Sequence, residues 1–355
     1  MEAEKGRDQN SMSREGFLRR KDIVFSVERY LIGALGAMAL GLFGTLIIGV
    51  ILETLGDALG LEFLVSAGAA AKAMMGPGIA VAVAFGLKAP PLVLFSSTVV
   101  GMAGAAAGGP VGAWIAAVVA VEVGKLVSGE TRLDIVVTPA AVVVVGVLAA
   151  GTVGPPIAAF MEGLGAFIMW ATELRPLPMG ILVALVMGWA LTSPISSAAL
   201  AIALQLEGVA AGAALAGCAA HMVGFAVASF PDNGWGGLIS QGLGTSMLQV
   251  PNIIRRPIIG LPATVASVVG GPLATMVFHM DSLYWGAGMG TSGLVGQFAT
   301  VAAMGSGVAV FASMGVLHFA LPAIIAGITA MWLRRRGWIR PGDMILVTAK
   351  AKKEE

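Results

Sequence analysis

Long apolar runs are the feature of this sequence that most limits its fold. Of the residues, 57% are hydrophobic and 12% are charged, whereas soluble domains average about 45–50% and about 25%. A helix needs roughly 20 apolar residues to cross a bilayer, and several runs reach that length. Between Leu31 and Leu333 no stretch is polar enough to form a soluble domain. The chain is therefore predicted to be one all-α, membrane-embedded unit, although its 355 residues would suffice for two soluble domains.

The predicted architecture is a polytopic bundle of ten transmembrane helices. Lys and Arg residues concentrate near both chain ends, and cytoplasmic segments of membrane proteins carry such an excess. Both termini are therefore expected in the cytoplasm, which requires an even number of crossings. Gly76-Pro77-Gly78 and Pro155-Pro156 predict kinks or partly re-entrant backbone. The crossings are assigned to 31–52, 62–86, 92–108, 110–127, 134–151, 153–171, 178–203, 208–230, 258–280 and 298–332.

Charged segments flank the predicted membrane domain, which spans residues 30–333. Residues 1–29 mix basic and apolar side chains, so an interfacial helix and a solvated tail are both open. Residues 334–355 are predicted to form a basic cytoplasmic tail. The charges between 122 and 134 are expected in a solvated turn, with docking of a cytoplasmic partner as the alternative.

A polar stretch between Phe230 and Pro257 interrupts the apolar runs. Polar groups cost free energy in hydrocarbon unless they meet protein, water or a solute. Its glycines and prolines prevent a continuous helix, and such backbone persists at membrane depth only where protein buries it or it lines a wet cavity. We therefore predict a re-entrant hairpin near 231–257 that binds a solute. The candidate ligands are Asp232, Asn233, Gln241, Thr245, Ser246, Gln249 and Asn252.

Part of this pattern occurs twice, because residues 242–248 and 288–294 share G-x-G-T-S-x-L. Corresponding Gly-interrupted segments are a good sequence pointer to a transporter's binding site. A second hairpin is predicted near 284–297, entering from the opposite face. It adds Thr291, Ser292 and Gln297 to the candidate site. Chance similarity is the alternative explanation, since the chain has 50 glycines.

The sequence Thr192-Ser193-Pro194-Ile195-Ser196-Ser197 lies within an otherwise apolar helix. Its hydroxyls can serve as packing contacts between helices. Because Pro194 frees a backbone carbonyl, we favour a kink beside the site. Thr192, Ser193, Ser196 and Ser197 are therefore further candidate ligands.

His221 is a candidate for the site as a proton relay, with a packing role as the alternative. No HxxxH or H-E-x-x-H spacing occurs, so metal binding is not expected. No catalytic motif or cofactor-binding pattern is visible, so no catalytic residue and no cofactor are predicted. Nothing in the charge pattern indicates a nucleic-acid partner.

Three segments carry a resemblance to a known family: Gly124 to Pro139, Leu191 to Ala199 and Pro231 to Ile253. They resemble the integral-membrane IIC components of the bacterial sugar phosphotransferase system. The resemblance is to the type-2 group, which includes perfringolysin-regulator-like proteins, and covers most of residues 25–335. It implies a helical permease of the bacterial cytoplasmic membrane, commonly a homodimer, with scaffold and transport halves that move in an elevator-like manner.

The expected function is translocation of a sugar or a related small polar metabolite. The resemblance also implies separate cytoplasmic IIA and IIB partners, because residues 1–355 contain neither domain. The alternatives are a membrane sensor or regulator that does not transport, a channel, and a transporter of another polar or anionic solute that works without phosphorylation.

Overall fold

The computed structural model describes residues 16–346. All secondary-structure elements named within that range are helical. Two compact units divide the chain. Unit 1 comprises Met1–Gly41 and Met75–Pro156, and unit 2 comprises Leu42–Met74 and Ile157–Glu355. All candidate site residues belong to unit 2.

Two long helices test the predicted boundaries: Pro91–Val127 in unit 1, and Asp134–Thr172, which begins in unit 1 and ends in unit 2. Pro91–Val127 has non-helical backbone at Gly108 and Gly109, which is where the sequence separates two crossings. Asp134–Thr172, in contrast, is one helix in which Pro155 and Pro156 are internal, although two crossings are predicted there. Prolines are tolerated inside membrane helices because neighbouring groups satisfy the freed backbone. The remaining helices of unit 1 are Glu28–Ala34, Leu35–Leu42 and Met75–Gly86.

The charges near residue 122 in unit 1 are enclosed rather than solvated. Lys125 is 2% exposed and donates hydrogen bonds to the carbonyl oxygens of Asp22, at 2.6 Å, and Leu87, at 3.0 Å. Glu122 is 8% exposed and accepts a hydrogen bond from Tyr30 at 3.1 Å. The expectation of a solvated turn is therefore wrong for Glu122 and Lys125, because the segment from residue 16 onward covers them.

The start of this covering segment is fixed by ion pairs. Asp22 accepts a hydrogen bond from Arg29 at 2.9 Å, which is the main reason that its pKa lies below the usual value. Lys21 pairs with Glu130 at 2.6 Å and lowers the pKa of that carboxyl. Residues 16–20 are helical and 23–26 are not, while the first 15 residues of the predicted N-terminal segment lie outside the described range.

Unit 2 consists of short helices around one buried helix, Gly208–Ala228. Glycines allow close approach to this helix: a Cβ at Gly212 would overlap the carbonyl oxygen of Met280, and one at Gly217 would overlap that of Ala184. Small residues at such contacts are typical of membrane helices. The other elements are Phe43–Ile47, Ile48–Leu59, Glu62–Ala73, Pro176–Thr192, Ser197–Ala203, Phe230–Ile239, Ser240–Gly244, Ser246–Gln249, Val250–Arg255, Pro257–Gly260, Leu261–Pro272, Leu273–Val277, Tyr284–Ala287, Ser292–Leu294, Val295–Met304, Val308–Met314, Gly315–Ala320 and Leu321–Arg335.

Within the described range, six helices are long and apolar enough to cross a membrane. A seventh candidate is the pair Glu62–Ala73 and Met75–Gly86, which is interrupted at Met74, two residues before the predicted kink. The six are Glu28–Asp57, Pro91–Val127, Asp134–Thr172, Gly208–Ala228, Pro257–Val277 and Val308–Arg335. The protein is thus a multi-pass membrane protein, and the count of ten crossings stays a prediction.

Candidate functional site

The T-S-P-I-S-S sequence forms a break between two helices of unit 2. Pro176–Thr192 ends at Thr192, and the next helix, Ser197–Ala203, begins after Ser196, whose hydroxyl accepts a hydrogen bond from the amide of Ala199. A Ser at this position satisfies one of the free amides of a helix start. The break therefore exposes hydroxyl groups to the neighbouring elements.

Thr192 is the centre of a buried polar junction. Its Oγ1 lies 2.7 Å from Nδ1 of His221, 2.8 Å from Oγ of Ser246 and 3.1 Å from the carbonyl oxygen of Gly188. A hydroxyl has one proton and two lone pairs. All three contacts are satisfied when Thr192 donates to Gly188 and accepts from His221 and Ser246. This arrangement requires the Nδ1–H tautomer of His221, whose Nε2 has no hydrogen-bond partner in the described structure.

The two G-x-G-T-S-x-L repeats meet each other and the T-S-P-I-S-S break. Thr291 of the second repeat donates to the carbonyl oxygen of Gly242 in the first. Ser197 donates to the carbonyl oxygen of Gly288 at 2.6 Å. Gly290 and Gly293 have φ values of 56° and 53°, a conformation that favours glycine. Three segments distant in sequence thus converge.

We name the buried side chains at this convergence the hydroxyl layer. Each member is at most 5% exposed. Glycine- and proline-broken segments supply the hydroxyls, the continuous helix Gly208–Ala228 supplies His221, and unpaired polar side chains are costly among apolar helices. The members are Thr192, Ser197, His221, Ser246 and Thr291.

The amides of the first repeat region form a separate network. The side-chain nitrogen of Gln249 donates to Oε1 of Gln241 at 2.9 Å, and that of Asn252 donates to Oε1 of Gln249 at 2.8 Å. Gln241 in turn donates to Ser229 at 2.8 Å. These groups are buried and hold one another in fixed orientations.

Residues 342–346, which sequence analysis assigned to a tail, contact this amide network. Asn233 and Gln249 donate to the carbonyl oxygen of Met344 at 2.8 Å and 3.0 Å. Asn252 donates to the carbonyl oxygen of Ile345 at 2.9 Å. The contact was not predicted, because its hydrogen bonds go to backbone atoms and leave no signature in the sequence.

Asp232 lies at the edge of the same network. It pairs with Arg334 at 2.8 Å, and its other oxygen accepts the amide of Gly342 at 3.0 Å. We name Asp232, Asn233, Gln249 and Asn252 the amide cluster. The positive φ of 60° at Gly234 turns the chain directly after Asn233.

The remaining candidates do not join these two groups through their side-chain hydrogen bonds. Gln297 lies 3.2 Å from Nδ1 of His318, a contact that sequence analysis did not anticipate. Ser193 bonds within its own helix to Ala190 at 3.0 Å, and Thr245 accepts the amide of Met247 at 3.2 Å. Ser292 is buried and has no hydrogen-bond partner in the described part of the chain.

A cavity of about 370 Å³ lies beside the second repeat in unit 2. Its walls combine carboxylates, a hydroxyl and aromatic rings. Nothing in the sequence indicated that Ile48–Leu59 contributes to this cavity, where two acidic residues, Glu53 and Asp57, stand one helical turn apart. Glu53 pairs with Lys72. The lining residues are Glu53, Thr54, Asp57, Trp285, Val295 and Phe298.

Apolar spans broken by polar, glycine-rich segments define a multi-pass membrane protein of the transporter class. The family model described as Phosphotransferase system, EIIC matches residues 32–346. The chain therefore belongs to the phosphotransferase system EIIC family, and the resemblance found in the sequence is confirmed. The family is one of membrane sugar permeases, which in general work with cytoplasmic IIA and IIB proteins. No curated protein matches the chain.

Proposed function

We propose that this protein translocates a sugar or a related small polar metabolite by an elevator-like alternating-access mechanism. One observation carries the proposal: the hydroxyl layer gathers groups from three separate, broken segments inside unit 2. Polyhydroxyl solutes are recognised by such combinations of donors and acceptors. Most of these groups bond to one another, but Nε2 of His221 is buried without a partner in the described structure, and solute binding would offset the cost of that burial.

In this proposal the cavity beside the second repeat is where the solute first binds. Its volume of about 370 Å³ is within the usual range for small-molecule sites of about 300–1,000 Å³. Trp285 and Phe298 offer apolar faces to the carbon skeleton of a sugar, and Glu53 and Asp57 accept hydrogen bonds from hydroxyl groups. Gln297, two residues after Val295 of the cavity wall, is buried.

The full proposed site consists of the fifteen predicted residues in unit 2, with the hydroxyl layer at its centre. The protein is further proposed to be a homodimer in the bacterial cytoplasmic membrane with both termini in the cytoplasm. Separate IIA and IIB proteins phosphorylate the solute in this scheme.

Uptake by purified protein in liposomes tests the proposal. Vesicles are incubated with a mixture of neutral hexoses, disaccharides and hexitols, and their contents are measured by mass spectrometry. At least one compound should accumulate over protein-free vesicles. Thr291→Val should lower its uptake, because the contact with Gly242 is lost, whereas Thr291→Ser should retain it.

Thr152→Val is the matched control, because Thr152 is exposed and bonds only to Ala149 of its own helix. Saturable binding of a sugar without accumulation would contradict transport and favour the sensor hypothesis. Equal uptake by Thr291→Val and wild type would exclude Thr291 from the site.

A further inference from the structure

The segment Gly342–Leu346, here called the C-terminal segment, is held in the way that a binding site holds a peptide. Asn233 contacts it from both sides of its amide: its nitrogen donates to Met344 at 2.8 Å and its oxygen accepts the backbone amide of Leu346 at 2.9 Å. Gln249, Asn252 and Asp232 complete five hydrogen bonds between the amide cluster and this backbone. The side chains of the amide cluster therefore bind this segment through its main-chain atoms.

The side chains of the C-terminal segment fix its register. Met344 is 0% exposed and Leu346 is 3% exposed, whereas Ile345 between them is half-buried. Residues 341–344 form a turn, in which the amide of Ile345 bonds to the carbonyl oxygen of Gly342 at 3.3 Å. Met344 packs with Phe225 and Ile259 in a core cluster of unit 2. The segment is thus held both by hydrogen bonds to its backbone and by burial of the side chains of Met344 and Leu346.

The hydrogen bonds that hold the C-terminal segment are not part of the backbone hydrogen bonding of any helix. The side-chain amides of Asn233, Gln249 and Asn252 donate to carbonyl oxygens of the C-terminal segment. Departure of the segment would therefore break no backbone hydrogen bond within residues 231–257. Those amides would then be free for another ligand with the same acceptors. Sugar hydroxyls offer such acceptors, together with donors for Asn233 and Asp232.

We propose that the amide cluster is a peptide-binding site whose resident ligand is the C-terminal segment, and that this segment must leave before the cluster binds the solute. The inference rests on the proposed function. It assigns the segment the role of an internal competitor that occupies the solute-binding amides. Release also breaks the ion pair between Arg256 and Asp343, at 3.2 Å, whereas the Asp232–Arg334 pair at 2.8 Å joins residues outside the segment.

Thiol labelling tests release without any transported solute. Met344→Cys is made in a Cys218→Ser background and compared with the native Cys218, since both positions are 0% exposed. N-ethylmaleimide should modify the thiol at position 344 at least about tenfold faster, because local opening costs less free energy than opening the core. Equal rates at the two positions would overturn the proposal.

Uptake of the same sugar mixture tests the consequence. Met344→Glu places a charge at a buried position of the segment and should expel it, whereas Pro341→Glu places the same charge at an exposed one. Met344→Glu should raise uptake several-fold relative to Pro341→Glu. Unchanged or lower uptake by the folded variant would overturn the competitor role. If Met344→Glu does not fold, Leu346→Gln replaces it.

The two proposals fail in different ways. Absence of uptake in every variant, together with fast labelling at position 344, would refute transport while supporting a releasable segment. Normal uptake with equally slow labelling at both positions would refute the segment's release and leave transport intact.

Discussion

Thr192→Val isolates the energetic role of the polar junction in the hydroxyl layer. Valine matches the shape of threonine but lacks the hydroxyl, so the substitution removes the contacts of 2.7 Å to His221, 2.8 Å to Ser246 and 3.1 Å to Gly188. Two buried donors, Nδ1–H of His221 and the hydroxyl of Ser246, then lose their acceptor.

The expected loss of unfolding free energy is about 1–3 kcal/mol. A buried group left without a partner costs about 1–3 kcal/mol, whereas a hydrogen bond between membrane helices contributes about 0.6 kcal/mol on average, since the membrane-unfolded state finds other partners. The hydroxyl of Ser246 can rotate to another acceptor, so one unpaired donor, Nδ1–H of His221, sets the size of the loss.

Denaturant titration of the purified protein in detergent, followed by tryptophan fluorescence, measures this loss. Thr192→Ser keeps the hydroxyl and should retain most of the stability. Ser193→Ala removes a hydroxyl that bonds only within its own helix, to Ala190, and should cost less than Thr192→Val. Equal stability of Thr192→Val and wild type, or equal loss in Thr192→Ser and Thr192→Val, would refute the assignment of these hydrogen bonds.

Three further predictions concern packing and charge. Gly212→Ala should lower the melting temperature strongly because its methyl group would overlap the Met280 carbonyl oxygen, whereas Gly236→Ala, with open space around its Cβ position, should not; similar melting temperatures would contradict this packing. Lys125→Met should destabilise the protein by about 3 kcal/mol, measured by denaturant titration, because the buried carboxylate of Glu122 loses the ammonium group of Lys125, 3.4 Å away; a loss below about 1 kcal/mol would show that solvent replaces the lysine. Because the folded-state pKa of Asp22 is lowered, its contribution to stability is present above the ordinary carboxyl pKa and is lost as pH falls through the folded value. Acid titration of unfolding should therefore show a smaller loss in Asp22→Asn than in wild type, and identical acid profiles would exclude this contribution.

Much of the fold class followed from residue order alone. Apolar runs of membrane length exclude a soluble protein because no polar stretch between them can form a hydrated surface. The breaks at Gly108-Gly109 and near Gly76 were predictable too, since glycine and proline weaken a helix wherever they occur. Asp134–Thr172 was not, because a proline inside a membrane helix ends it only when neighbouring groups fail to satisfy the freed carbonyl.

The candidate site was predictable in composition but not in connectivity. Polar residues within apolar runs identified the segments, since such residues need partners wherever they fold. Only the tertiary structure joined Thr192 to His221 and Ser246, and Thr291 to Gly242. It also decided that the backbone of residues 342–346 meets the amide cluster, because hydrogen bonds to the main chain are independent of side-chain identity. The sequence by itself determined which groups require partners in a membrane, and the packing of distant helices determined which partners they found.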